Sequence, residues 1–320
     1  NNGKTTSSIA NLLATSYTVT VTDFTGCSAS VSSAITQPSA LVITSDTIKD
    51  ISCFGANNGL IDIEVTGGVL PFQYNWSNGA TTQDISNLGP GNYSLILTDT
   101  NGCSAGYGLS ISEPSILSSS ITGFANIDCF GNGNGFVSIN VTGGTPPYSF
   151  LWSNGVTNQN INSLLPNTYV VTITDFNGCT STLSQLITQP DELIATISNV
   201  TNVSCNGLNN GAISINISGG SSPYSFQWSN GATVQNISNL SATIYTVTVT
   251  DVNNCSVSLS QVVTQSNQLL VNVSNFSNVN CNGNNNGAIN INIAGGTTPY
   301  AYSWSNGATT QNVNNLSPNT

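Results

Sequence analysis

The stretch Pro223 to Gln235 reads PYSFQWSNGATVQ, and the fold turns on how it is understood. It returns as PFQYNWSNGATTQ from Pro71, PYSFLWSNGVTNQ from Pro147 and PYAYSWSNGATTQ from Pro299, each copy 76 residues after the last. Tyr224, Phe226 and Trp228 alternate with polar residues, which is the period of a strand with one buried face. Such a trio could be a platform on which sugars stack. Its surroundings favour a different role. Upstream, GAISINISGG places Ile213, Ile215 and Ile217 on one face and Ser214, Asn216 and Ser218 on the other. Downstream, YTVTVTD sets Tyr245, Val247 and Val249 against Thr246, Thr248 and Thr250. Three apolar rows in phase make a core, with the aromatic trio as one wall. Trp76, Trp152, Trp228 and Trp304 are therefore expected to be core residues.

The punctuation agrees. Gly219-Gly220 and Pro223 break the chain between two strands. Asn230-Gly231 after the Trp strand reads as a two-residue hairpin. Asp23, Asp99, Asp175 and Asp251 each end a Tyr strand and are expected to cap the following turn. Gln37-Pro38, Glu113-Pro114, Gln189-Pro190 and Gln265-Ser266 read as linkers, since Pro cannot continue a ladder. About seven short strands per repeat, with no helical period, give an all-β chain of tandem immunoglobulin-like β-sandwich repeats of 76 residues forming an elongated rod. The expected domains are 39–114, 115–190 and 191–266, flanked by partial repeats at 1–38 and 267–320. The partial repeats make the chain read as a window on a longer array, so a missing leader carries no information. A repeat this small is marginal alone and gains from neighbours or disulfides.

Composition narrows the function. Charged residues are 5% of the chain, with two Lys, no Arg and no His, and the net charge is −11. Nucleic acid and anionic membrane surfaces call for a basic footprint that is missing here. No apolar run approaches the ~20 residues of a spanning helix. Without His there is no Ser-His or Cys-His pair, so no catalytic residue is assigned and the chain is read as not an enzyme. Within this window Gly3-Lys4-Thr5 lacks the earlier glycine of a phosphate loop, and it aligns with the plain turn NGATT. Asp62 and Glu64 lie on outer positions of one strand in one repeat and read as solubility features. The repeated Asp residues are too few per repeat for a calcium cage. No metal or cofactor is expected.

The combination C-x-G-x-x-x-G, GG-x-x-PY, W-S-N-G, Y-x-V-x-x-x-D-x-x-x-C and Q/E-P resembles the SprB-type repeat of Bacteroidota. That resemblance implies a giant cell-surface adhesin of the kind used in gliding motility. It implies export by type IX secretion, attachment at the outer membrane, and no catalytic residues. The function then expected is that of a stalk, a mechanical spacer for surface attachment. Its partners would be neighbouring repeats, an external surface or polysaccharide, and the secretion and motility machinery. A carbohydrate-binding array and a laterally associating surface filament are the alternatives. Asp46-Thr47-Ile48 resembles a short O-glycosylation motif of Bacteroidota proteins and makes Thr47 a candidate glycan site.

Eight cysteines follow the same period, Cys27, Cys103, Cys179 and Cys255 in one series and Cys53, Cys129, Cys205 and Cys281 in the other. With no CxxC spacing they read as disulfides in an oxidising, extracellular setting. Partners could lie 26, 50 or 126 residues apart. Within a sandwich, Cys205 and Cys255 fall at opposite ends, on the order of 20 Å apart, beyond disulfide reach. The far end of one repeat meets the near end of the next. This favours Cys53 with Cys179 and Cys129 with Cys255, leaving Cys27, Cys103, Cys205 and Cys281 to pair beyond the window. The other two schemes stay open at this point.

Overall fold

The computed structural model describes residues 3–318. The chain forms two compact units, one of residues up to 121 with 139–159 and 170–183, the other of 122–138, 160–169 and the chain from 184. Strands β1 (Ser16–Thr22) and β2 (Ser28–Ala34) come first. They are followed by β3 (Val42–Lys49), β4 (Gly59–Thr66), β5 (Gln73–Trp76), β6 (Ile85–Leu88), β7 (Gly91–Thr98) and β8 (Ser104–Ile111). The next six are β9 (Ser118–Ala125), β10 (Gly135–Thr142), β11 (Ser149–Trp152), β12 (Ile161–Leu164), β13 (Asn167–Thr174) and β14 (Thr180–Ile187). Then come β15 (Ile194–Thr201), β16 (Gly211–Ser218), β17 (Ser225–Trp228), β18 (Ile237–Leu240), β19 (Ile244–Thr250) and β20 (Ser256–Val262). β21 (Leu270–Ser277), β22 (Gly287–Ala294) and β23 (Val313–Leu316) complete the set, and no helix occurs among the described residues.

In the first unit, β3-β4-β6 form one antiparallel sheet and β5-β7-β8 another. In the second, β15-β16-β18 and β17-β19-β20 repeat the plan. Strands β9 to β14 follow the same two orders. Alternation explains the pairing. Ile213 and Ile215 of β16, Trp228 of β17, Val247 and Val249 of β19 and Ile237 and Leu240 of β18 are buried in one cluster between the two sheets. Ile61, Ile63, Trp76, Leu95 and Leu97 do the same between β3–β8. This is an immunoglobulin-like sandwich, with a Trp on the third strand packed between the sheets. A tyrosine corner marks the same fold: the Tyr245 hydroxyl donates to Ser241 O (3.2 Å), and that of Tyr93 to Gly89 O (3.0 Å).

Two expectations change. Each complete repeat has six strands rather than about seven. The first strand bulges between Ile197 and Asn199 and stays paired with β16 as far as Thr201; only beyond it does the chain meet the end of the repeat. Val203 forms an isolated parallel bridge with Gln265, and its N–H donates to Thr264 O (2.9 Å). The Asn-Gly turn is also not a two-residue hairpin. Gly231 N–H donates to Trp228 O and Trp228 N–H to Ala232 O, both at 2.9 Å, and Gly231 has φ +85°. The tight turn is a Trp-Ser-Asn-Gly unit with Gly in the left-handed region. It sends the chain across to the other sheet as β18, not back along β17.

Trp76, Trp152 and Trp228 are each 2% exposed. Trp304 is only half-buried. The strands that would cover it, corresponding to β19 and β20, are not among the residues of this chain. Two cavities of about 680 Å³ open along the apolar face of β21 and β22, one of them lined by Val271, Ile291, Tyr300 and Trp304. The corresponding residues 76 positions earlier are packed with the second sheet, so that cavity is uncovered core rather than a ligand pocket.

Candidate functional site at the cysteine-bearing loops

Each complete repeat carries one cysteine in the loop after its first strand and one in the turn before its last. The loop cysteine sits in C-x-G-x-x-x-G. Leu208 N–H donates to Cys205 O (3.1 Å), and Asn210 Oδ1 accepts Ser204 N–H (3.0 Å) while its Nδ2 donates to Ser204 Oγ (2.7 Å). The linker residue Gln265 holds the loop from the other side, its Oε1 accepting Gly207 N–H (2.9 Å). Glu113 holds Gly55 and Gln189 holds Gly131 in the same way. Residues expected to be plain linkers thus fix the cysteine loops. The final Gly of the motif is there for close approach. A Cβ at Gly211 would lie 2.8 Å from Val263 Cγ1.

The turn cysteine follows the strand-ending Asp by four residues. Asp251 is 4% exposed, and its Oδ1 accepts the N–H groups of Asn253 and Cys255, both at 2.9 Å. Its Oδ2 accepts Ser221 N–H (2.9 Å) from the Gly-Gly loop. Asp99 and Asp175 make the same three bonds. One buried carboxylate therefore caps the turn and ties it to the Gly-Gly loop. The Gly-Gly loop is tight because a Cβ at Gly219 would stand 1.9 Å from Glu192 O. Tyr224 closes it, its hydroxyl donating to Gly219 O (2.7 Å).

The two loop types meet between consecutive repeats. Within the first unit Cys53 and Cys179 form a disulfide with their Cα atoms 5.7 Å apart. Within the second, Cys129 and Cys255 do so at 5.6 Å. Each bridge spans a sequence separation of 126. A hydrogen bond accompanies each: Asn177 Nδ2 donates to Ser52 O (3.0 Å), and Asn253 Nδ2 to Asp128 O (3.1 Å). Cys27, Cys103, Cys205 and Cys281 are unbridged and exposed. The loop of Cys205 nevertheless has the framework of the bridged loops, so that framework stands without a partner.

Other singled-out residues are not drawn into a site. Asp62 meets Asp84 and Asp46 rather than Glu64. Partial burial first, then the neighbouring Asp84 carboxyl, raises its pKa above the ordinary Asp value. Asp128, beside Cys129, lies below the ordinary value, chiefly because the Asn132 amide bonds its carboxylate at 3.0 Å. Asp23 is also held low, first by the Thr25 hydroxyl at 2.8 Å. Thr47 is exposed on β3 beside a bulge at Asp46. Among the described residues no three His, Cys, Asp or Glu side chains come together in a way that could hold a metal ion.

The family described as SprB repeat matches residues 45–81, 122–157, 197–233 and 273–309. No curated protein matches the chain. Among solved structures it is similar to the N-terminal eight immunoglobulin domains of Down syndrome cell adhesion molecule, at 15% identity and a TM-score of 0.25 over 89% of this chain and 43% of that one. It is similar to extracellular domains 3–5 of Drosophila OTK, at 13% identity and a TM-score of 0.26 over 71% and 99% of the two chains. A Ca2+-stabilised adhesin with which an Antarctic bacterium binds ice gives 14% identity and a TM-score of 0.31, over 78% and 81%. This chain spans less than half the length of the first of these.

Proposed function

Because four stretches of this chain, each 36 or 37 residues long, match the SprB repeat, we propose that the chain serves as the stalk of a giant cell-surface adhesin. It is a mechanical spacer for attachment and gliding, exported by type IX secretion and anchored at the outer membrane. The observation that carries this reading is the pairing of cysteines between consecutive repeats. A bridge inside a repeat would stabilise that repeat alone. A bridge to the neighbour ties the array together, and it calls for an oxidising, extracellular setting. The role asks for no catalytic residue. The test is to shorten the array in the native protein by whole repeats. Cells should still display the adhesin, with its tip closer to the surface in proportion to the repeats lost, and should attach and glide less. Unchanged attachment and gliding with a much shorter array would overturn the stalk reading.

The outer faces of the second sheets support a carbohydrate-binding reading. Threonine and serine hydroxyls pair across β19 and β20, Thr246 with Ser260 at 2.8 Å and Thr248 with Ser258 at 3.1 Å. Thr18 with Ser32 and Thr20 with Ser30, both at 2.7 Å, do the same on β1 and β2. Binding of the chain on a glycan array, lost when these threonines are changed to valine, would favour it over a passive stalk.

A further inference from the structure

The two bridges overlap along the chain. Cys129 lies inside the loop closed by Cys53–Cys179, and Cys179 lies inside the loop closed by Cys129–Cys255. We infer that the bridges act together as a covalent bypass, which carries tension past the repeats when their folds give way. This deepens the stalk reading and rests on it for its biological purpose, though not for its physics.

The route of force follows from connectivity. Along the backbone, Cys53 and Cys255 are separated by about 200 residues, or about 700 Å at ~3.5 Å per residue when taut. With both bridges closed there is a shorter road. It crosses from Cys53 to Cys179, runs backward along the chain to Cys129, and crosses to Cys255. That road has about 50 residues and a taut length of about 180 Å. Complete loss of the sandwich folds between the two cysteines therefore cannot lengthen the chain beyond this limit. The segment from Cys129 to Cys179 carries the load in reverse.

Overlap also makes the two extension steps unequal, whichever bridge opens first. With either bridge open, the best remaining road is about 76 residues, so the first opening releases only about 26 residues, or about 90 Å. The second opening releases about 126 residues, or about 440 Å. The order does not matter, because the two arrangements are symmetric in length.

The experiment is force-clamp extension of the full chain, held by its ends at a force that keeps the repeats unfolded, in a dilute small-molecule thiol. Each reduction is a thiolate attack on one disulfide sulfur that releases the other as thiolate. The expected record has two steps, about 90 Å then about 440 Å. In Cys205→Ser both steps are unchanged, and in Cys53→Ser only the longer one remains. Three equal steps of about 175 Å would mean bridges inside repeats and would overturn the inference. A record with no steps would overturn it as well. The stalk reading can fail on cells with the two unequal steps intact, and the steps can be absent whatever cells show, so the two failures are separate.

Discussion

At the scale of single residues, the strand-ending Asp contributes most per atom. Asp251 satisfies three backbone donors from two loops with one carboxylate, in a place where water barely reaches. Leaving such donors unpaired costs about 1–3 kcal/mol each. Asp251→Ala is therefore expected to lower the stability of its repeat by at least about 2 kcal/mol. Hydrogen exchange should show lost protection at Ser221, Asn253 and Cys255 together. Loss at Asn253 and Cys255 alone would mean that the tie to the Gly-Gly loop is slack. The sequence showed these residues as turn caps, from their place after a Tyr strand. It did not show the third bond, because Ser221 is thirty residues away and nothing local marks the contact.

Charge at the same scale gives a pH dependence of two signs. Asp128 has a lowered folded pKa, so it binds fewer protons folded than unfolded. Its contribution is present above the ordinary Asp value and fades as pH falls through the folded one. Asp62 has a raised folded pKa, so its effect runs the other way. Ionised beside Asp84 at neutral pH it is unfavourable, and the penalty is relieved as pH falls through its folded value. Asp62→Asn should accordingly raise the stability of its repeat at pH 7 and have less effect at acid pH, as thermal melts at the two pH values would show. An equal gain at both would assign the effect to packing.

At the scale of elements, the short fourth strand depends on two consecutive side chains. Gln235 Nε2 donates to Ile215 O (2.7 Å), and Asn236 Oδ1 accepts Ile215 N–H (3.0 Å). The pair occupies both backbone groups of one β16 residue, as a neighbouring strand would, and so starts β18 in register. Gln83 and Asp84 do this for Ile63, and Gln311 and Asn312 for Ile291. Gln235→Ala should cost about 1–3 kcal/mol through the orphaned carbonyl and should free β18 first in exchange measurements. Unchanged exchange in β18 would show that its own ladder suffices. Period-two alternation made the longer strands legible. Ile237-Ser-Asn-Leu240 does not alternate, since both ends are buried with two exposed residues between them and Asn239 at φ +57°, and it is fixed by side chains that a hydropathy pattern reads only as polar.

At the scale of the whole molecule, the period of 76 carried most of the fold into view. It located the sandwich, the core tryptophans and both cysteine series. Trp304 shows where a periodic reading stops, since an identical local sequence is buried only when its partner strands are present. The pairing of cysteines was the least legible feature. Spacing permits three schemes, and choosing between them depends on which ends of the repeats meet, which is a property of the assembled chain and not of any segment.

The overlap of the two loops has a consequence for cleavage. Every peptide bond from Cys53 to Cys255 lies inside at least one loop, so a single cut there opens a loop without dividing the molecule. The three Glu residues, Glu64, Glu113 and Glu192, all fall in that span, whereas Lys4 and Lys49 precede it. A Glu-specific protease that makes one cut per molecule should leave a single band on a non-reducing gel and, once thiol is added, one pair of fragments for each Glu it has used. Separate fragments before reduction would show that the loops do not overlap. A chain built this way can be nicked once and still be retained whole.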